Sequence, residues 1–387
     1  MQRSGARPSR AEQLHALGQS VWFDFIRRGH LASGEFERLV REQGVVGVTS
    51  NPTIFQQAIA GSSDYDAAIV SGGAGGLTGA VLFEALAVED IQRACDVLRP
   101  VFDRTRGLDG RVSIEVSPRL AHDTAGTLGE ARRLHRAVAR ANVMIKVPAT
   151  AAGLPAITQL TAEGMSINVT LIFSLARYEQ VMEAYLSGLE LRGAANQPLG
   201  DIFSVASFFV SRVDSKVDAA LDTAIAARPA GDPARDELAK LRGRAAVANA
   251  RLAYSRFRQV FAGARWDALR SRGAQLQRPL WASTSTKNPA YPDTLYVDEL
   301  IGRDTVNTMP QATLNAYNDH GALEARIERD LEAARTLFRR LPELGVPLGQ
   351  MIDQLEPEGV EAFRKSYDAL IETLETRRAT LSGKAAS

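Results

Sequence analysis

The stretch NVMIKVPAT (142–150) sets one lysine, Lys146, among Val143, Met144, Ile145 and Val147. An ammonium in an apolar run is costly to desolvate. A buried partner such as Asp24 or Glu115 could neutralise it, but a buried ion pair adds little net stability. The chain has only a handful of lysines among its 46 Lys and Arg residues. Where it needs positive charge alone it mostly uses arginine. A lysine at this position therefore points to an amine that can give up its proton, which arginine cannot do. An amine in an apolar pocket loses its proton more readily and can attack a ketone to form a Schiff base. The iminium then draws electrons from a neighbouring carbon–carbon bond, which breaks. Such chemistry needs a base for a hydroxyl proton and an acid to help water leave the carbinolamine. Asp24 in VWFDFI and Glu115 in RVSIEVS are carboxylates on two other strands and suit those roles.

More polar residues interrupt apolar strands. Thr49 and Asn51 lie two apart in VTSNP, and Asn168 and Thr170 share one face of SINVTLIF. Strand side chains alternate between faces, and in a barrel one face points inward. Groups from five strands can thus converge near the C-terminal strand ends, where barrels of this kind place their chemistry. Asn and Thr side chains suit the hydroxyls of a sugar. A lone Thr or Asn in a strand is ordinarily a satisfied core group, so the weight falls on the set.

The elements that must position this set alternate. Strands are expected at 20–26, 44–51, 111–117, 142–149, 166–174, 202–213, 278–285 and 304–310, mostly separated by amphipathic helices. About eight near-continuous apolar strands alternating with helices indicate an α/β fold, a closed (β/α)8 TIM barrel with extra helices. Residues 14–380 are read as one barrel domain. It carries helical insertions at about 52–110 and 214–277 and a helical C-terminal segment. Residues 1–13 and 381–387 are read as disordered tails. The glycine-rich SGGAGGLTG lacks a following Gly-Lys-Ser/Thr and does not follow a strand, so a flexible loop before a helix is expected rather than a phosphate cradle.

Bulk properties narrow the function classes. The chain has 387 residues, 45% hydrophobic and 24% charged, with a net charge of +1. No global field draws it to nucleic acid or to acidic membranes. Its N-terminus has no apolar signal core, and no run approaches a membrane span. One cysteine, Cys95, rules out an internal disulfide and fits a reducing, cytoplasmic setting. The five histidines show no paired ligand spacing, and no dinucleotide fingerprint occurs, so no metal or organic cofactor is expected.

In order along the chain, VTSNPTIF, VSIEVSPRLAHD, MIKVPAT, INVTLIFS and SFFVSRVDSKVD resemble the transaldolase family, and the resemblance runs from about Val21 to Asn315. The length and the segments ASTSTKNPAY and DTVNTMP resemble its longer bacterial branch. The resemblance implies that Lys146 forms the Schiff base and that Asp24 is the base on the C4 hydroxyl. It implies that Glu115, through a water and Thr170, moves protons in carbinolamine dehydration. Asn51 and Asn168 would hold the dihydroxyacetone unit, with Thr49 and Ser207 lining the pocket and Arg212 binding phosphate. Lys287, close to Ser285, stands where the better-known branch has a second phosphate-binding arginine. A lysine binds phosphate as a point charge, without arginine's fork. The implied partners are small sugar phosphates, a ketose phosphate donor and an aldose phosphate acceptor, on a monomer or homodimer without a cofactor. The alternatives are a fructose-6-phosphate aldolase releasing free dihydroxyacetone and a sugar-phosphate-binding barrel without turnover. The set Asp24, Glu115 and Lys146 speaks against the last, because binding alone needs no reactive amine.

Overall fold

The structure, a computed structural model, describes residues 8–385. Eight parallel strands close on themselves in chain order: β1 (Gln19–Phe23), β2 (Val45–Val48), β3 (Arg111–Glu115), β4 (Val143–Pro148), β5 (Ile167–Ile172), β6 (Ser204–Phe209), β7 (Gln277–Ala282) and β8 (Thr305–Met309). This is the (β/α)8 barrel read from the sequence. Nearly every strand residue is buried, because one face packs on the helices and the other fills the barrel. The strands end earlier than expected. Asp24, Thr49 and Asn51 lie just past β1 and β2, and Arg212 opens the helix Ser211–Ala226.

Register decides which side chains meet. Glu115 on β3 is level with Lys146 on β4, Lys146 with Asn168 on β5, and Pro148 with Thr170. At the opposite, N-terminal end the floor is closed by paired charges. Arg278 pairs with Asp109 at 3.0 Å, and the buried Arg111 guanidinium lies between the rings of Phe102 and Phe203.

The expected tails are shorter. Arg10–Leu14 is helical, started by a capping box in which Ser9 Oγ accepts from Glu12 N–H and Glu12 Oε2 accepts from Ser9 N–H. Its Ala11 and Leu14 are buried, which gives a segment read as tail a reason to fold. At the other end the helix Leu348–Ala385 continues through residues 381–385; residues 1–7, 386 and 387 lie outside the described residues. The glycine-rich stretch is also only partly a loop. Its SGGA closes the helix Asp66–Ala74, with Gly72 against Leu82 and Gly73 against Arg378. Close packing there outweighs glycine's poor helix propensity.

The long C-terminal helix crosses the mouth of the barrel. Gly359 brings its backbone onto β5, where a Cβ would stand 3.0 Å from Leu171 Cδ2. The helix's own Val360, Phe363, Leu370 and Leu374 are buried on the side facing the barrel. Ion pairs Arg177–Glu356, Arg119–Asp368 and Lys216–Glu358 tie it to three flanking elements. Each such pair contributes little alone, so the apolar face holds the helix down. No helix among the described residues is long and apolar enough to cross a membrane.

Candidate active site

Lys146 ends inside the C-terminal mouth, on the wall of a cavity of about 350 Å³. Its Nζ lies 3.0 Å from Glu115 Oε2, and both side chains are 5% exposed. It also donates to the Ser50 carbonyl at 3.1 Å, and the Phe363 ring lies 5.7 Å away. Burial pushes the Glu115 carboxyl above the ordinary carboxylate range. The Lys146 charge opposes that shift, and the Asp24 charge adds to it. A carboxyl held in that state can carry a proton and hand it on, as an acid catalyst must.

Asp24 faces the same cavity from the end of β1. Thr49 donates its single hydroxyl hydrogen to Asp24 Oδ1 at 2.6 Å. The 2.9 Å contact between Thr49 and Thr308 must then have Thr308 as donor. This relay fixes the carboxylate through Oδ1 and leaves Oδ2 without a side-chain hydrogen bond among the described residues. Thr170 sits beside an irregularity in β5. The register against β6 shifts between Val169 and Ile172, and Leu171 takes φ +61°. A branched residue in that region costs about 1–2 kcal/mol, and the site is one of the places where such strain collects. The buried Thr170 hydroxyl has no protein partner among the described residues.

Nine of the eleven sequence-derived residues line the cavity: Asp24, Thr49, Asn51, Lys146, Thr170, Ser207, Arg212, Ser285 and Lys287. Glu115 and Asn168 do not. Glu115 reaches the site through Lys146. Asn168 is fully buried and lies within a polar chain, accepting from Ser207 at 2.7 Å and donating to Ser113 at 3.0 Å. Asn51 has a structural duty as well. Its Oδ1 caps the helix Pro52–Ala60 by accepting from Ile54 N–H, which leaves its amide hydrogens for a ligand.

The rim is cationic. Arg212 has no carboxylate partner among the described residues; its guanidinium lies 5.4 Å from the Phe209 ring and 6.0 Å from that of Phe363. Burial pulls it below arginine's ordinary value. Lys287 bonds Ser285 Oγ at 2.7 Å. Lys287 is exposed overall, yet it lines the cavity and is partly shielded there. That shielding, followed by the Arg212 charge, lowers its proton affinity, against the pull of Asp24. Two cations on one rim, with no carboxylate in ion-pair contact with either among the described residues, suit a dianion such as a phosphate.

The sequence reading missed Phe363, Phe209, Thr308 and Ser50. Thr308 and Phe209 lie inside strands that were recognised, and strand alternation could have flagged Thr308. Phe363 gives no sequence signal, since helix periodicity tells which face is buried and not what it covers. Among the described residues no three His, Cys, Asp or Glu side chains group as a metal-ligand set.

The profile of the family described as Transaldolase/Fructose-6-phosphate aldolase matches residues 21–374. A protein named Transaldolase from Parafrankia sp. is 49% identical over 362 residues, covering 93% of this chain and 96% of its own length. A Transaldolase from Thermobifida fusca is also 49% identical, with the same coverage. Transaldolase 2 from Nostoc punctiforme is 45% identical over 372 residues, covering 96% of this chain and 98% of its own. With nearly the full length of both partners aligned at such identity, the chain belongs to the transaldolase/fructose-6-phosphate aldolase family.

Proposed function

We propose that the protein is a transaldolase. It moves a dihydroxyacetone unit from a ketose phosphate, sedoheptulose 7-phosphate or fructose 6-phosphate, to an aldose phosphate, glyceraldehyde 3-phosphate or erythrose 4-phosphate. The observation that carries this reading is the buried Lys146–Glu115 contact at 3.0 Å on a cavity that also presents Asp24.

In this reading Lys146 passes a proton to Glu115, and its Nζ lone pair adds to the C2 carbonyl of the donor. The carbinolamine hydroxyl leaves as water with a proton from Glu115, relayed by a water at Thr170. The iminium that forms is the electron sink. Asp24 takes the C4 hydroxyl proton, the C3–C4 bond electrons move into the iminium, and the aldose phosphate departs. The enamine left on Lys146 adds to the acceptor aldehyde, and Asp24 returns the proton to the new C4 oxygen. Hydrolysis through the Glu115 relay frees the ketose and restores the amine. Asn51 and Ser207 hold the dihydroxyacetone oxygens, with Asn168 fixing the Ser207 hydroxyl from behind. Arg212 and Lys287 hold the phosphate, with Ser285 beside them. The same reading places the enzyme in the cytoplasm as a monomer or homodimer.

Relatives named transaldolase over nearly their whole lengths favour transfer over release of free dihydroxyacetone. Product analysis tests the choice. Fructose 6-phosphate with erythrose 4-phosphate should yield sedoheptulose 7-phosphate and glyceraldehyde 3-phosphate. Steady accumulation of free dihydroxyacetone with or without the acceptor would make the enzyme an aldolase instead.

A further inference from the structure

Arg212 and Lys287 come from different elements, the helix Ser211–Ala226 and the irregular chain after β7. Among the described residues, the hydrogen bond Lys287 makes runs to Ser285 of its own loop. Something else must hold that loop at a fixed distance from Arg212 if the two cations are to grip one phosphate.

Three ties do so, and all run to the helix that bears Arg212. At the loop's start Ser211 N–H donates to the Ser283 carbonyl at 3.1 Å, and the two hydroxyls meet at 2.8 Å. Ser283 turns the chain there at φ +57°. Further on, Asp218 Oδ2 accepts from the Tyr291 hydroxyl at 2.7 Å, while its Oδ1 accepts from Gly243 N–H at 3.0 Å. One helical turn earlier the pattern repeats. Asp214 Oδ2 accepts from the Tyr296 hydroxyl at 2.9 Å, and its Oδ1 accepts from Ala246 N–H at 2.8 Å.

Asp214 and Asp218 are four residues apart and so lie on one helix face. Each carboxylate has one oxygen on a tyrosine beyond β7 and the other on a backbone N–H at residues 243–246. These residues lead into and begin the helix Ala245–Val260, which follows Pro233–Lys240 in the inserted region. Gly243 makes the approach feasible. It has φ +68°, and a Cβ there would stand 2.7 Å from Tyr291 Cζ. Hydrogen bonds to ionised carboxylates are short and directional, which suits a device that sets a distance. A device for stability alone would not bury a carboxylate as fully as Asp214, which burial pushes up to about 6.

We propose that Asp218 with Tyr291 and Asp214 with Tyr296 are positioning residues. They brace the Lys287 loop against the Arg212 helix and thereby set affinity for the phosphate end of the substrate, with the inserted helices as the fixed backing. This rests on the reading of Arg212 and Lys287 as a phosphate site.

The test uses inorganic phosphate as a competitive inhibitor, together with two acceptors that differ in phosphorylation, erythrose 4-phosphate and glyceraldehyde. Tyr291→Phe should raise the phosphate Ki and the KM for erythrose 4-phosphate by about 3- to 10-fold, the range of one lost hydrogen bond. kcat/KM for glyceraldehyde should stay at the wild-type value. Asp218→Asn, which keeps the shape and one acceptor, should move the same constants in the same direction. An unchanged phosphate Ki in both variants, or proportional losses for both acceptors, overturns the proposal. Arg212→Ala separates the two levels. If it leaves phosphate Ki unchanged, the phosphate site itself is wrong. If it weakens phosphate while Tyr291→Phe and Asp218→Asn are silent, only the brace is wrong.

Discussion

Glu115→Gln removes a charge from the Lys146 contact while keeping its shape, and the structure sets the size of the loss. At 3.0 Å, two unit charges at an effective dielectric near 20 attract by about 5 kcal/mol. Both side chains are 5% exposed, so solvent screens little of this. The glutamine dipole returns part of it. The expected loss of unfolding free energy is about 3 kcal/mol, at the lower edge of the range for breaking a buried pair. The larger part reflects an orphaned charge, so deleting that charge should reverse it. Lys146→Met in the Glu115→Gln background should recover at least about 2 kcal/mol, a coupling far above the additivity error of about 0.5 kcal/mol. Urea unfolding of the four proteins of the cycle measures it. Glu115→Gln alone should slow formation of the trapped ketose adduct by about 10²–10⁴-fold, the range for losing an acid–base group. A coupling below about 0.5 kcal/mol would refute the buried pair. Wild-type adduct formation in Glu115→Gln would refute its role as the acid.

Two further perturbations probe other parts of the site. Asp24→Asn should slow cleavage of fructose 6-phosphate by about 10²–10⁴-fold. It should still form an adduct with dihydroxyacetone, which has no C3–C4 bond to break; equal loss of both would remove Asp24 as the base. Asp214 tests the brace by pH. Its folded-state carboxyl is raised from 3.8 to about 6, so its contribution to stability is complete below about pH 3.8 and is lost as pH rises through about 6. That interval is worth about 3 kcal/mol. The stability difference between wild type and Asp214→Asn should therefore fall by about this amount between the two pH values. A pH-independent difference would contradict the burial of that charge.

Much of the site was legible because strand periodicity is simple. A polar residue in an apolar strand must point somewhere specific, and register then brings Glu115, Lys146 and Asn168 level on adjacent strands. Arg212, Ser285 and Lys287 were legible only through family resemblance, because they sit past strand ends and on loops where no period operates; Ser207 lies inside β6, but a lone serine in an apolar strand reads as a core group. The cap over the mouth was not legible at all. The pattern of EAFRKSYDAL gives Phe363 a buried face, but only the folded chain puts that face beside Lys146 and Arg212. The left-handed turns at Leu171 and Ser283 were equally hidden, since neither is glycine and tertiary packing imposes both. The N-terminal boundary failed for a related reason. A polar, basic start read as tail, although Ser9 and Glu12 carry a capping box that starts a helix at Arg10.

The most direct measurement is to reduce the enzyme with borohydride in the presence of fructose 6-phosphate and locate the added mass by peptide mapping. A reduced three-carbon adduct should appear on the peptide containing Lys146, vanish in Lys146→Arg, and be cleared when erythrose 4-phosphate precedes the reductant. An adduct on another lysine, or turnover retained in Lys146→Arg, would contradict the chemistry assigned to this barrel.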